Sequence, residues 1–405
     1  MGDRTMKVTF VLPLLAFSGG IKVIFEYANK LQQRGHQVHI IAPIIPASWW
    51  MYIRRQGLKE TIIKYFKGSK AIHSLNKSRV KIIKIPILNP FLFGIFVPDS
   101  DIIIATSWET AYFVNALPKW KGEKFYFIQG YEIWDVWENA QCWEKARKLE
   151  RDSSKLPIIM SYVVPDDPNL VKLKNLVDAS YTLPLKKITI SSWLKELLEK
   201  RFNQNVYGII TNGVDFNEFY CEDDTKWNNN NSKKIILTIL QSGSMLKGSL
   251  DAIKAINIVK REYKGADIEI HAFGWKGDIN LSDYITFHGA RYGNELRQLY
   301  CKAHIFVSSS WVEGSQLPPM EAMACKCAVV ATNVGGVPDY TIPNKTAIVV
   351  PPQSPQKIAE GVIYLLENWE EAKRIAEEGH NYIRQFTWDK VIEKFERILY
   401  DVRTQ

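Results

Sequence analysis

The sequence predicts an α/β chain of two doubly wound domains, each built on a parallel sheet. Three observations carry this. The chain has 405 residues, more than one hydrophobic core usually serves. Short apolar runs alternate with helical stretches along most of its length, as strands buried between two helical layers do. Between the halves, residues 222–227 and the four asparagines that follow form a polar run that reads as a linker.

In the first half the strands are expected at 7–15, 37–42, 80–85, 101–106, 124–128, 187–190 and 206–210, with helices at 21–34 and 192–201. In the second half strands are expected at 234–240, 267–273, 285–288, 304–308, 328–331 and 347–350. Helices alternate with them at 248–263, 294–301, 319–324 and 355–367. The domains are then 1–215 and 233–385, joined by 216–232. Ligands of such sheets bind beyond the carboxyl ends of the strands, so the loops there are the candidate site. Residues 8–17 could imitate a short signal peptide. A glycine loop and an amphipathic helix follow them directly, which favours the first strand of a nucleotide-binding fold.

The formal net charge is +9. Much of the excess lies between Arg54 and Lys84, where ten lysines and arginines face a single acid, Glu60. Leu58, Ile62, Ile63 and Phe66 fall on one helical face of that segment, so it can lie on an anionic membrane; a surface helix packed on the domain is the plainer alternative. No nucleic-acid motif accompanies the charge, so nucleic acid is not expected as a partner. No run approaches the roughly 18–20 apolar residues of a transmembrane helix. The five cysteines form no framework, and their odd number points to a reducing compartment. A cytoplasmic enzyme, peripheral at the inner face of the membrane, fits these features.

The most specific motif follows the strand at 304–308. Glu313 and Glu321 are separated by seven residues, the first in a loop and the second in a helix whose start is marked by Pro318 and Pro319. Two carboxylates at one strand-to-helix corner, beside the positive end of a helix, suit a ligand that carries both hydroxyls and phosphates. In the first half, Gly19 and Gly20 follow the first strand and let backbone approach a ligand. Thr106-Ser107-Trp108-Glu109 and Phe127-Ile128-Gln129-Gly130-Tyr131-Glu132 each follow a strand and can face the same cleft. Asp99-Ser100-Asp101 precedes its strand and reads as a turn, so no metal is expected there.

The segment 308–324 closely resembles the donor-site signature of retaining glycosyltransferases of family four (glycosyl transferases group 1). Residues 329–340 and 347–352 match the next family segments, and Ser18-Gly19-Gly20, Arg34-Gly35-His36, Thr189-Ile190-Ser191 and Thr211-Asn212-Gly213-Val214-Asp215 match earlier ones. The resemblance covers most of the chain outside roughly 45–90 and 139–178, the latter an insertion relative to the family. It implies the GT-B fold: two Rossmann-like domains facing across a deep cleft, with a last helix, 386–405, returning to the first domain. It implies a hexosyl transfer from a nucleotide-sugar donor to a saccharide or lipid-linked saccharide in polysaccharide or glycan synthesis. Glu321 would bind the donor ribose and Glu313 the sugar hydroxyls. Lys247 would neutralise the diphosphate, with Gly314, Ser315, Gln316, Leu317, Gly243, Ser244, Arg291, Gly19 and Gly20 around the donor.

The segment 127–132 is similar to rhamnosyltransferase-like members, which makes Glu132, Tyr131, Glu109 and Trp108 acceptor candidates. The chain departs from the pattern in three places. No arginine stands in the loop 241–246, no histidine stands near 127–132, and Ser315 and Gln316 replace an aromatic residue and a glycine. No cofactor or metal is expected, because a helix end and Lys247 can take a cation's part. A nucleotide-sugar epimerase and a catalytically silent nucleotide-sugar-binding protein remain alternatives. A dinucleotide oxidoreductase would need the full glycine fingerprint that is missing here.

Overall fold

The computed structural model describes residues 5–16, 18–46, 57, 59, 75–222, 225–227, 233–265 and 267–403. Most of the basic amphipathic segment, including Arg54, Leu58, Ile62 and Lys64, lies outside them.

Seven strands make the first sheet: β1 (Lys7–Val11), β2 (Gln37–Pro43), β3 (Lys81–Ile85), β4 (Ile102–Ala105), β5 (Glu123–Ile128), β6 (Lys186–Thr189) and β7 (Val206–Ile209). All pair in parallel, in the order β3-β2-β1-β4-β5-β6-β7. Six strands make the second: β8 (Lys234–Gln241), β9 (Ile268–Trp275), β10 (Ile285–Phe287), β11 (Ile305–Ser308), β12 (Ala328–Thr332) and β13 (Ile348–Val350), ordered β10-β9-β8-β11-β12-β13 and again parallel. The residues 8–17 that could imitate a signal peptide begin in the central strand β1, whose Val8, Phe10 and Val11 are fully buried.

The helices that matter for the site are α1 (Gly19–Gln33), α2 (Trp108–Ala116), α3 (Ala140–Leu149), α4 (Pro168–Tyr181), α5 (Ser192–Phe202), α6 (Ser249–Glu262), α7 (Gly293–Lys302), α8 (Leu317–Ala324) and α9 (Trp388–Arg403). Each sheet is doubly wound, and its order reverses once. The reversal falls between β1 and β4 in the first sheet and between β8 and β11 in the second.

Helix α9 belongs to the first domain by packing, although it ends the chain. Phe395 meets Tyr27, Phe127 and Phe10 with ring centroids 4.8, 5.6 and 6.5 Å away. Glu396 accepts from Arg34 Nε at 2.8 Å and lies 2.7 Å from His36 Nε2. The two strands of chain that cross between domains run together. Val214 N donates to Phe386 O at 2.9 Å, and a Cβ at Gly213 would sit 2.8 Å from the Trp388 backbone. That closeness, not backbone freedom, requires the glycine.

Two features differ from the sequence reading. Cys221 and Cys301 are joined by a disulfide 80 residues apart in sequence, whereas the odd, unframed cysteine set had pointed to a reducing compartment. The pairing arises because the stretch after 215 folds back along α7, a proximity that spacing does not encode. The polar run read as linker is also partly docked. Trp227 is buried against Trp369 and His304, and Lys226 Nζ donates to the carbonyls of Ala303 and Cys325 at 2.8 Å each.

Phe395→Ala is expected to destabilise the first domain by about 3–5 kcal/mol, because it empties a site between three rings. Chemical denaturation followed by tryptophan fluorescence checks this; an unchanged midpoint would mean that α9 is not part of that core.

Candidate active site

The four loops that leave β1, β4, β8 and β11 at their carboxyl ends open into one cleft between the domains, with a volume of about 610 Å³. They are the loops that flank the two reversals of strand order, where a parallel sheet leaves a crevice uncovered by crossover helices.

Lys247 is placed by a short zipper. Trp311 N donates to Leu246 O at 2.7 Å, and the Ser309 hydroxyl donates to Gly248 O at 2.8 Å. Gly248 has φ +61°, and a Cβ there would lie 1.9 Å from Ser309 O. Both conformation and closeness thus demand glycine. The result sets Lys247 Nζ 2.7 and 2.9 Å from the two carboxylate oxygens of Glu313, which also accepts from the Ser310 hydroxyl at 2.8 Å. Gly335 backs the same loop, since a Cβ on it would lie 2.7 Å from Glu313 O.

Helix α8 begins with Leu317, Pro318 and Pro319. The prolines carry no amide hydrogen, so only Leu317 of these three offers a donor. An anion here must rely on Leu317, the preceding loop and Lys247 rather than on a full helix end, which narrows the reading made from the sequence. Glu321, one turn further, is buried. Its carboxylate accepts from the Tyr300 hydroxyl at 3.1 Å, and burial raises its pKa, against the pull of nearby Lys22. Three buried polar atoms on the cleft wall have no protein partner: Asn212 Oδ1, Ser315 Oγ and Gln316 Nε2. Buried polar atoms without partners are rare unless a ligand or water completes them.

The first domain supplies the facing wall. Gly19 and Gly20 line it, but they open helix α1 with no positive φ, so their use is access alone. Trp108 and Glu109 line it from the start of α2. Glu132 accepts from Trp108 N at 2.7 Å. Burial pushes the Glu132 carboxyl up to about 8; the Trp108 amide opposes the shift and Glu109 adds to it. Gly314 crosses the gap, where a Cβ would lie 1.9 Å from Gln129 O.

Three sequence-predicted site residues stand elsewhere. Tyr131 is fully buried and turned from the cleft, donating to Asp178 Oδ1 at 2.6 Å; its neighbour Glu132, at the centre of a tight turn closed by Ile133 N donating to Tyr131 O at 2.9 Å, lines the cleft instead. Gly243 and Ser244 do not line the cleft. The Ser244 hydroxyl instead donates to Glu138 of the first domain, and Met245 N donates to the same carboxylate at 3.1 Å. Arg291 does line the cleft, with Glu295 3.6 Å away.

Asp99 pairs with Lys121, and Asp101 accepts from Lys7 N at 2.8 Å, both at the end of β4 away from the cleft. Among the described residues, one group of three has ligand atoms close enough for a metal, Cys221, Cys301 and Cys325, and two of its sulfurs are already joined.

Lys22, Tyr300 and Asn212 belong to the site and were not singled out from sequence. Lys22 follows the glycine pair by two residues, a signal that could have found it. The segment 139–178, expected from the sequence to be an insertion, packs on both domains. Trp143 Nε1 donates to Trp137 O, Trp137 Nε1 donates to Tyr131 O, and the Trp143 ring meets Trp311 of the second domain at 5.6 Å.

With this geometry established, comparison with known proteins places it. Residues 221–382 match the family model for glycosyl transferases group 1. That match covers most of the second domain and none of the first sheet. An uncharacterized glycosyltransferase of Methanocaldococcus jannaschii is 25% identical over 237 residues, covering 54% of this chain and 62% of that protein. A GDP-mannose-dependent phosphatidylinositol monomannoside mannosyltransferase of Mycobacterium tuberculosis is 27% identical over 164 residues, covering 36% of this chain and 43% of that protein. The chain thus spans less than two thirds of the length of either relative.

Two solved structures show the fold. Sucrose-phosphate synthase of Thermosynechococcus elongatus superposes with a TM-score of 0.67 at 16% identity, covering 98% of this chain and 99% of that one. HepE of Anabaena, solved with UDP-glucose, gives 0.66 at 13% identity, covering 98% and 100%. The fold is GT-B.

The Glu132 shift gives a pH signature. Its native pKa of about 8 stands above the ordinary 4.5, so between those values the native state holds a proton that the unfolded chain has lost. Stability therefore falls as pH rises through that interval. Glu132→Gln keeps an acceptor for Trp108 N and removes the fall. Thermal midpoints of the two proteins should converge near pH 4.5 and separate, in favour of the variant, toward pH 8; parallel curves would place the Glu132 proton elsewhere.

Proposed function

We propose that the protein is a retaining glycosyltransferase that moves a sugar from a nucleotide-sugar to a saccharide or lipid-linked saccharide acceptor. One observation carries the reading: the ion pair of Lys247 with Glu313 at the mouth of α8. A cation and a hydroxyl-binding acid stand side by side, as the leaving diphosphate and the transferred sugar must. The family match and the nucleotide-sugar named for the mycobacterial relative support it.

In this reading the donor enters between Lys247 and Glu313 and takes over both partners. Glu321, held by Tyr300, binds the ribose, and the unpartnered Ser315 and Gln316 atoms receive sugar or phosphate oxygens. The bond from the anomeric carbon to the phosphate oxygen breaks while the bond to the acceptor oxygen forms on the same face, and the acceptor proton passes to a donor phosphate oxygen. Most of the rate comes from positioning and from preorganised charge on the departing diphosphate. Lys22 and Arg291, which also line the cleft, supply the positive charge that the missing loop arginine would have given. Glu132, neutral at pH 7 and beside Trp108 and Glu109, can donate a hydrogen bond to an acceptor hydroxyl.

Lys247→Ala is expected to lower turnover by roughly 10²–10³-fold, and Lys247→Arg by less. A near-normal rate for the alanine variant, measured with a donor found by thermal shift across a nucleotide-sugar panel, would remove Lys247 from the mechanism. Glu321→Ala is expected to weaken donor binding by about 1.5–3 kcal/mol in calorimetry, and transfer should survive EDTA. Loss of transfer on chelation, restored by manganese, would overturn the metal-free reading. An inverted anomer in the product, seen by NMR, would overturn retention.

A further inference from the structure

Between Lys84 and Asp99 the sequence carries fourteen residues without a single charge. They follow β3 and form a short capped turn. Asn89 Oδ1 accepts from Phe91 N and Leu92 N at 3.0 and 3.1 Å, and a helical turn, Pro90–Phe93, leads directly into another, Gly94–Phe96. Leu88 and Phe93 pack inward on the core of the first domain. The rest point out. Phe91 is 90% exposed and Ile95 79%, with Leu92 and Phe96 more than half exposed.

The exposed surface does not stop there. Ile44 and Ile45, at the cleft end of β2, are held against this strand end by bonds to Ile85 O and Pro86 O at 2.7 and 2.9 Å, and both side chains face solvent. At the far end the buried Val97 anchors the turn, its carbonyl accepting from Lys121 Nζ at 2.6 Å. Single apolar side chains on a surface need no explanation, but a contiguous group of large ones marks a binding face.

We propose that this face is a bilayer-docking surface, with Phe91, Leu92, Ile95 and Phe96 entering the acyl boundary of an anionic membrane. Charge decides the occupant. Lys81 and Lys84 stand exposed on β3, the strand that leads into the patch, and the sequence between β2 and β3 carries eight further lysines and arginines in residues 54–79 against one acid. A second copy of the chain would bring two such basic rims together and be repelled. Anionic headgroups would neutralise the rim while the rings and branched chains leave water. Because Ile44 and Ile45 stand at the cleft end of the sheet, docking brings the mouth of the cleft toward the lipid. The proposal does not depend on glycosyl transfer. It also differs from docking through the basic segment alone, since it rests on uncharged side chains.

The test is co-sedimentation of the whole protein with vesicles of phosphatidylcholine alone and of equal parts phosphatidylcholine and phosphatidylglycerol. The double variant Phe91→Ser, Ile95→Ser is run in parallel. Those side chains stand in solvent, so the thermal midpoint and any donor-induced shift should stay as in the parent. The parent should sediment with the mixed vesicles, and the variant should partition about tenfold less or lower. No sedimentation of the parent, or equal binding by the variant, overturns the proposal, the second outcome assigning membrane contact to the basic charge alone. A parent dimer that light scattering shows to become a monomer in the variant, with vesicles ignored, overturns it in favour of a second copy. Failure of every nucleotide-sugar to shift the thermal midpoint would count against the transferase reading and leave this one standing.

Discussion

Two parallel sheets, each with one reversal of strand order, fix nearly everything else. At each reversal the crossover connections run in opposite directions, and the loops on either side are left facing open space. Gly19, Trp108, Lys247 and Glu313 come from four such loops and from no other part of the topology. The chemistry of the cleft can therefore change residue by residue without touching the sheets, whose central strands are buried on both faces.

The contact between Lys247 and Glu313 depends on a second constraint, backbone lying against backbone. Gly248 against Ser309, Gly335 against Glu313 and Gly314 against Gln129 are three places where a single added carbon would collide. The first two set the geometry within the second domain. The third holds the loop after β11 against the first domain, and three contacts reinforce it: Ser192 with Asp339, Glu138 with Ser244, and Trp143 with Trp311. Glu138 and Trp143 thus clasp the first domain to the second. The indole donors behind them run from Trp143 through Trp137 to Tyr131, next to Glu132.

The strands were legible because burial on both faces removes polar residues and leaves plain apolar runs. Every expected strand has a counterpart within a few residues, the largest error being the overlong first strand, which ends at Val11. Helix α2 was not legible. It carries apolar residues around most of its circumference and so shows no single stripe. Trp369–Ile383 was missed for another reason, since it follows the preceding helix directly after Asn368 and its pattern merges with it. In the site, Glu313 and Glu321 could be found because a local motif places both at one corner. Tyr131 was misplaced because its partner, Asp178, lies 47 residues away. Lys22 was overlooked because one lysine in an amphipathic helix looks like any other. The disulfide and the exposed apolar turn depend on what lies beside them in space, which spacing along the chain does not record.

The position of α9 bears on how the molecule is made. Its Trp388, Val391, Ile392, Phe395 and Leu399 sit within the core of the first domain, so that domain lacks a wall until residues 388–399 have left the ribosome. The second domain, whose strands lie between residues 234 and 350, has its own core and can close earlier. Synthesis runs from the first residue to the last, yet completion runs the other way: the domain begun first is sealed last. Until then Tyr27 and Phe127 have only each other, 5.1 Å apart, and Phe10 lacks the Phe395 ring that later covers all three.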